Sequence, residues 1–239
     1  MQNLDITKDY GTPNALYFNY ITQVPPDSVD DLNELHRQIQ DMYAYELGQT
    51  EDEIQKQMDQ GTLPKDDSVD SRIQRTVYRG RLIDNLRNEE KWLNVHEEKP
   101  SEPKKLKADK NDVISTILRE LLSHYSKHPE PFSVLLRLLR NTIAVVPGEQ
   151  KYWYTHAVLR YDRNKDEVIP ELHRVAFKID RQDISGDTVE ITISYANSRL
   201  EMDVDKWLNE RRNLHHIIKS GTSVREKMAL NFSLRGEEI

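Results

Sequence analysis

The second half of the chain alternates apolar and polar residues with a period of two. This alternation is typical of half-buried strands, because successive side chains of a strand point to opposite faces of its sheet. Polar turns separate the alternating stretches, which favours neighbouring strands that run antiparallel. The pattern predicts a meander of about five strands, at 152–161, 171–180, 188–195, 198–205 and 227–235.

The strand predicted at 188–195 has the clearest alternation. Val189, Ile191 and Ile193 share one parity, so a shift of one residue would expose all three side chains. We therefore expect these three residues to be buried against a helix at 112–127 or at 205–219. The residues between them should point the other way: Thr188, Glu190 and Thr192.

The first half is dominated by apolar residues three and four positions apart, which is the spacing of a helix face. After a strand at 15–24, helices are predicted over 28–48, 50–61 and 68–98, and the first should end at Gly48. The first helix carries one narrow apolar stripe, which needs a partner in the same chain or in another one. The stripe consists of Leu32, Leu35, Ile39 and Met42.

Residues 99–110 interrupt the periodic pattern with prolines and several lysines. Such a composition buries little apolar area, so we expect a flexible linker between a helical region, 1–98, and a second domain, 111–239. The second domain opens with an amphipathic helix at 111–128 and an apolar helix at 132–146. The expected fold class is α+β, in which a helical N-terminal half precedes a helix-backed antiparallel β-meander.

Composition and charge narrow the class of protein. The 239 residues have a formal charge of −7, which argues against a protein that coats nucleic acid. The chain contains no cysteine, which excludes disulfides, thiolate metal sites and cysteine nucleophiles and fits a reducing compartment. No apolar run is long enough to span a membrane, and the first residues do not resemble a signal peptide. We expect a cytoplasmic protein without membrane contact.

The stretch YDRNKDEVIPELH, which joins the first two predicted strands of the meander, resembles the start of a calcium-binding loop. Asp162, Asn164 and Asp166 are spaced two apart, as the first ligands of such a loop are. That loop also needs glycine at its sixth position and glutamate at its twelfth, where this chain has Glu167 and His173. Because strands are predicted on both sides, we interpret the stretch as a hairpin turn.

Histidines are the other candidate metal ligands. His124 and His128 lie four apart, a spacing at which two helical histidines can share a zinc ion, but the glutamate of the zinc-peptidase motif is not between them. His215 and His216 are adjacent and do not share a helix face. The sequence also lacks phosphate-binding glycine loops, nucleophile elbows and dinucleotide fingerprints. We therefore predict no metal site and no cofactor.

Aromatic and basic residues share the outward parity of two predicted strands. Tyr152, Tyr154 and His156 belong to the first strand, and Arg174 and Lys178 to the next. Exposed aromatic and cationic side chains on a sheet can stack nucleic-acid bases. A second packed face of the sheet collects aromatic residues as well, and we favour that interpretation.

The sequence favours a non-enzymatic interaction or assembly protein that binds another protein chain or a second copy of itself. A nucleic-acid-associated protein that uses residues 99–110 and the sheet face is one alternative. An enzyme is the other, but no carboxylate is singled out by an apolar setting that would tune its acidity, and no catalytic residue is assigned. The candidate interaction surface consists of Leu32, Leu35, Ile39, Met42, Tyr152, Tyr154 and His156.

Overall fold

The structure is a computed structural model that describes residues 15–21, 24–100, 102–124, 150–227 and 232–235. The described helices are α1 (Val29–Asp59), α2 (Val69–Glu89), α3 (Val113–His124), α4 (Val204–Arg211) and α5 (His215–Lys227), and a short 3-10 turn, Pro26–Ser28, precedes α1. The described strands are β1 (Ala15–Ile21), β2 (Leu93–Pro100), β3 (Lys104–Asp109), β4 (Gln150–Asp162), β5 (Glu167–Ser185), β6 (Thr188–Met202) and β7 (Phe232–Arg235).

All seven described strands belong to one mixed sheet. β4, β5 and β6 are long neighbours joined by short turns, and they pair antiparallel as the alternation predicts. However, β6 is one strand where two were predicted, at 188–195 and 198–205, and the strand predicted at 227–235 is β7, outside the antiparallel meander. β1 lies between β4 and β7 and runs parallel to both. The strand order is β2-β6-β5-β4-β1-β7, and β3 pairs with β6 beyond the end of β2. The α+β class is therefore confirmed, although the sheet has more strands than the predicted meander and includes parallel pairs.

Strands β2 and β3 correct the prediction of a flexible linker at 99–110. Both pair antiparallel with β6, one after the other along its length. An edge strand has a partner on one side only, and it tolerates lysines and prolines that face solvent. In β3, Leu106 and Ala108 are half-buried between exposed charged residues, so only a weak alternation marks the strand. The segment predicted to separate two domains therefore contains residues of β2 and β3, at the edge of the sheet.

Two glycines allow α1 and α5 to make backbone contact. A Cβ atom on Gly221 would lie 1.6 Å from the carbonyl oxygen of Ala44, and one on Gly48 would lie 2.5 Å from the carbonyl oxygen of Ile217. The helices can cross this closely only because neither glycine has a side chain. Gly48 therefore serves packing in the middle of α1. This corrects the predicted helix end, and the two helices predicted on either side of Gly48 are one.

The main core lies between one face of the sheet and helices α1, α2, α4 and α5. Tyr45, Trp92 and Trp207 meet edge to face in it, with ring centroids 5.1 to 6.3 Å apart. The apolar stripe of α1 belongs to the same core, because Leu32, Ile39 and Met42 are buried there and Leu35 packs against it. The stripe thus has a partner within its own chain. The sheet contributes Ala157, Leu159, Leu172, Leu200 and Met202.

A second packed region lies on the opposite face of the sheet, at the other end of β6. Val189, Ile191 and Ile193 are buried, and α3 lies against β3 and β6 at this end. These residues have the opposite parity to Leu200 and Met202 of the main core, so they face the other side of the sheet. The predicted burial of Val189, Ile191 and Ile193 is confirmed. The intervening residues keep part of their surface in solvent: Thr188, Glu190 and Thr192.

Other predicted elements have different bounds in the structure or lie outside the described residues. The helix predicted at 205–219 is α4 and α5, separated by a turn, and the last part of the helix predicted at 68–98 is strand β2. The helix predicted at 132–146 and His128 lie outside the described residues. Of the described helices, none combines the length and the apolar character needed to cross a membrane.

Candidate functional site

An arginine and two glutamates are buried where α1, α2 and β4 meet. Arg87, in the last turn of α2, donates hydrogen bonds from Nε and Nη2 to the two carboxylate oxygens of Glu46 on α1, the latter at 2.7 Å. It also donates from Nη1 to the hydroxyl of Thr155 on β4. All three residues are buried. A bidentate arginine–carboxylate pair is strong and directional, so this contact fixes the angle between the two helices.

Glu90, the C-cap residue of α2, is the second buried glutamate. Within the described part of the chain, neither of its carboxylate oxygens has a hydrogen-bond partner. Burial and then the negative charge of Glu46 raise the pKa of Glu90 well above the ordinary glutamate value, while Arg87 acts in the opposite direction. The indole of Trp92 acts in the same direction as Arg87 and favours the ionised form of Glu90, but the indole N–H completes no hydrogen bond. The cluster therefore combines two carboxyl groups with one guanidinium.

The remaining contacts of α2 are also largely polar. Arg79 is buried and forms an ion pair with Glu51 on α1. From β5, Arg174 donates to Asn88 Oδ1 at 3.1 Å and lies 3.3 Å from the carboxylate of Asp84. Arg174 is thus buried beneath α2, which removes it from the exposed sheet face that the nucleic-acid alternative requires.

A second cluster of charges lies on the opposite face of the sheet. Glu171 on β5 is 3.5 Å from His173, 3.1 Å from Arg160 on β4 and 4.0 Å from Arg199 on β6. Its contacts with His173 and then with Arg160 lower the pKa of Glu171 to about 2. The carboxylate therefore contacts basic residues on three neighbouring strands, in the manner of cross-strand ion pairs.

The strand register places the three candidate residues of β4 opposite the middle of β5: Tyr152 opposite Phe177, Tyr154 opposite Val175 and His156 opposite His173. Arg174, by contrast, is opposite Thr155. Arg174 therefore occupies the alternate parity and does not share a face with the three candidate residues.

The acidic stretch between β4 and β5 forms the predicted hairpin turn. The backbone N–H of Asn164 donates to Asp162 Oδ1 at 2.9 Å, and the hydroxyl of Tyr161 donates to the carboxylate of Asp166. Asp and Asn side chains commonly stabilise turns by bonds of the first kind. In the described ranges, His, Asp and Glu residues form no group of three or more that could hold a metal ion.

Glu46 and Glu90 were not predicted from the sequence. Glu46 is the only charged residue between Met42 and Leu47, and this apolar setting was a signal that could have identified it. Glu90 gives no such signal, since it lies in a charged stretch. Its burial depends on the fold around it.

The outer side of β2 and β3 forms one edge of the sheet. Both strands pair with β6, and no other described strand lies beyond them. The register between β2 and β6 shifts between Val95 and Glu97. Val95, at this irregularity, is 59% exposed, more than any other large apolar residue in the described part of the chain. The edge thus presents backbone groups beside an exposed apolar side chain.

No family model and no curated protein matches this chain. Among solved structures, the chain is similar to one described as the structure of the Evf virulence factor. That similarity has a TM-score of 0.45 and 8% sequence identity, over 93% of this chain and 87% of the other.

Proposed function

We propose that this protein is a non-enzymatic interaction or assembly protein of the cytoplasm, and that it binds its partner along the edge formed by β2 and β3. The observation that carries the proposal is the position of these strands, which pair with β6 on one side and with no other described strand on the other. The proposed partner is an extended acidic segment of another protein, which adds to the sheet as a further strand. The lack of cysteine supports the compartment.

The geometry of the edge supports a strand as the bound form. An edge strand presents a row of backbone N–H and C=O groups that can pair with another extended chain. The side chain of Val95 is available to pack against an apolar residue of that chain. The register shift near Val95 and the proline that ends β2 limit indiscriminate pairing, so the partner must match this edge.

The charges of β3 support an acidic partner. The side chain of Lys105 is 71% exposed and lies 3.5 Å from Glu190. Lys107 is exposed as well, and it is opposite the same Glu190 in the strand register. Two lysines beside one glutamate leave a local excess of positive charge around Lys105 and Lys107, although Asp109, at the end of β3, adds a negative charge with the same parity. Acidic residues on an added strand would form cross-strand pairs with these lysines.

The lysines of β3 support a nucleic-acid interface less well than a peptide interface. Lys104 is held by Glu120 at 2.6 Å, and Lys105 lies near Glu190. Binding to a phosphate backbone depends almost entirely on cations that displace counterions. An extended polypeptide gains backbone hydrogen bonds at the edge in addition to the charge pairs, so it uses this surface more fully.

Binding of labelled peptides tests the proposal. The probe is a short peptide of alternating Glu and Val, and the control is a Lys–Val peptide of equal length. We expect fluorescence anisotropy to show saturable binding of the Glu–Val peptide alone, and hydrogen exchange to slow over 93–109 in its presence. Equal binding of both peptides, binding of single-stranded DNA instead, or no binding would each contradict the proposal.

A pair of charge reversals locates the binding surface. Lys107→Glu on β3 should weaken binding of the Glu–Val peptide several-fold, because it places like charges opposite each other. Lys165→Glu changes the net charge equally but lies in the turn between β4 and β5, where the side chain is 60% exposed. It should leave binding unchanged. If both variants weaken binding equally, overall charge rather than the β2–β3 edge governs the interaction.

A further inference from the structure

The cluster of Glu46, Arg87 and Glu90 has more buried negative charge than Arg87 alone can neutralise. The two oxygens of Glu46 engage Nε and Nη2 of Arg87, and the hydroxyl of Thr155 engages Nη1. Every nitrogen of the guanidinium is therefore occupied by one of these two partners. If both glutamates were ionised, the buried cluster would have a net negative charge, which is costly in an environment of low dielectric constant.

The position of Glu90 favours its neutral form on structural grounds. Its side chain is buried, and its oxygens accept no hydrogen bond from the described residues. It is also the C-cap residue of α2, where the partial negative charge of the helix end opposes a carboxylate. Burial and the charge of Glu46 act in the same direction on its pKa and raise it.

We propose that Glu90 is the proton-binding residue of a pH-sensitive joint between α2 and β2. When protonated, Glu90 lies buried beside the Glu46–Arg87 pair. When it loses its proton to solvent, the carboxylate leaves this site, and the last turn of α2 and the start of β2 loosen together. The inference rests on the buried cluster and is independent of the partner proposed for the β2–β3 edge.

The contacts around Glu90 show how the change would spread. The backbone N–H of Leu93 donates to the carbonyl oxygen of Glu90 at 3.2 Å, and the N–H of Asp203 donates to the carbonyl oxygen of Trp92 at 2.8 Å. The ring of Trp92 packs edge to face on Tyr45 of α1 and on Trp207 of α4. Displacement of Glu90 would therefore disturb Trp92 and the contacts that join β2 to α1 and α4.

The titratable and charged groups that face Glu90 are few. α1 contributes Glu46 and Tyr45, and Arg87 belongs to α2 itself. Burial raises the pKa of Tyr45, which keeps this phenol in its neutral form. Trp92 of the α2–β2 connection and Thr155 of β4 do not titrate. Among these groups Glu90 is the carboxyl whose pKa both burial and the charge of Glu46 raise.

The direction of the pH effect follows from the raised pKa of Glu90 in the folded state. The stability that the neutral carboxyl contributes is fully present below the pKa of glutamate in the unfolded chain. It is lost as pH rises through the higher pKa of the folded state, because the unfolded chain releases the proton earlier. The joint is therefore closed below the raised pKa of Glu90 and opens as pH rises through it.

A carboxyl titration with a matched pair of variants tests the proposal. In the unmodified protein, the side-chain carboxyl carbon of Glu90, observed by ¹³C NMR, should titrate well above the ordinary glutamate range. Tryptophan fluorescence and hydrogen exchange over 87–95 should change in the same pH range. Glu90→Gln, which mimics the neutral carboxyl, should abolish both changes. Glu89→Gln, at the exposed neighbouring position, should retain them.

Three outcomes would overturn the inference. The first is titration of the Glu90 carboxyl at the ordinary pH of a glutamate, which is measured without any substitution. The second is a Glu90→Gln protein whose fluorescence and exchange keep the pH dependence of the original. The third is a carboxyl that titrates at high pH while exchange over 87–95 stays constant, which would show a buried acid without a moving joint.

Discussion

Helix α1 is held on two sides by contacts of opposite character. On the side of α5, Gly48 and Gly221 allow the backbones to touch, and the nearby core is apolar and aromatic. On the side of α2, ion pairs join the two helices, of which Arg87 with Glu46 is the most buried, beside the apolar side chains of Ile83 and Leu86 that reach the core. A close apolar crossing is sensitive to added volume. A buried ionic contact tolerates small changes of volume but is sensitive to the loss of either charge.

This difference follows from the residues that each helix presents to α1. Glycine and alanine bring α5 so close that no polar side chain fits at the crossing. The long side chains of Arg79 and Arg87 instead reach from α2 to carboxylates on α1. A buried ion pair is weak evidence for stability, because desolvation of both charges offsets their attraction. The α2 side also contains the buried Glu90, whose pKa is raised, so this is the side that we expect to respond to pH.

Gly221→Ala should have the largest effect, because the new Cβ would lie 1.6 Å from the Ala44 carbonyl oxygen. The helices must separate, so we expect a loss of more than about 4 kcal/mol in unfolding free energy, in the exceptional range for one substitution. Urea denaturation followed by circular dichroism measures the loss. Ser220→Ala is the matched control at an exposed neighbouring position and should cost little. Similar losses in the two variants would show that α1 and α5 are not in backbone contact.

Arg87→Met should have the next largest effect, since it leaves Glu46 buried without its cation. Removing one partner of a buried ion pair costs about 3–5 kcal/mol. Adding Glu46→Gln should restore part of that loss, which a double-mutant cycle measures. Arg81→Met is the control, because Arg81 is exposed and contacts the ring of Tyr78; we expect it to cost under about 1 kcal/mol. If the double variant is no more stable than Arg87→Met, the ionic character of the contact is not established.

The two sides of α1 also differ in how far the sequence predicts them. The stripe of Leu32, Ile39 and Met42 was identified by its spacing alone, and it is buried. Gly48 was misinterpreted, because a glycine in a helix crossing has the same local appearance as one at a helix end. Glu46 pairs with an arginine 41 positions away, and no local pattern reveals such a partner.

In the sheet, too, the sequence predicts local properties but not distant pairing. The alternation at 188–195 predicts burial correctly because strand parity is a local property. The strands at 93–109 were missed, since their lysines and prolines are typical of linkers and their place in the sheet depends on pairing with the distant β6. Edge strands are the elements in which composition and structure disagree most, because solvent covers one side of them.

The same contrast between packed and charged positions can be tested within β6. Ile191→Ala should cost about 2–5 kcal/mol, the usual range for truncation of a buried isoleucine. Glu190→Ala, at the adjacent and partly exposed position, should cost well under about 1 kcal/mol. Thermal or urea denaturation of both variants measures the difference. Equal losses would mean that both faces of this end of β6 are packed, which would contradict the partial exposure of Glu190.

The smallest effect is expected at Glu171, where the ion pairs are partly open to solvent. The pKa of Glu171 is lowered to about 2 by His173 and Arg160, so its carboxylate stabilises the fold above the pKa of an unfolded glutamate. That contribution is lost as pH falls through the lowered value. Glu171→Gln should therefore be less stable than the original protein at neutral pH, and the difference should vanish as pH approaches 2.

Urea denaturation at a series of pH values measures this difference. Solvent screens the cluster, so we expect a smaller effect than at the buried Glu46–Arg87 pair. Glu167→Gln is the control, since its ion pair with Lys165 lies on the surface of the turn, with both side chains more than half exposed. It should leave the acid dependence of stability unchanged. If the Glu171 variant keeps the full acid dependence of the original protein, the charged cluster on this face does not link β4, β5 and β6.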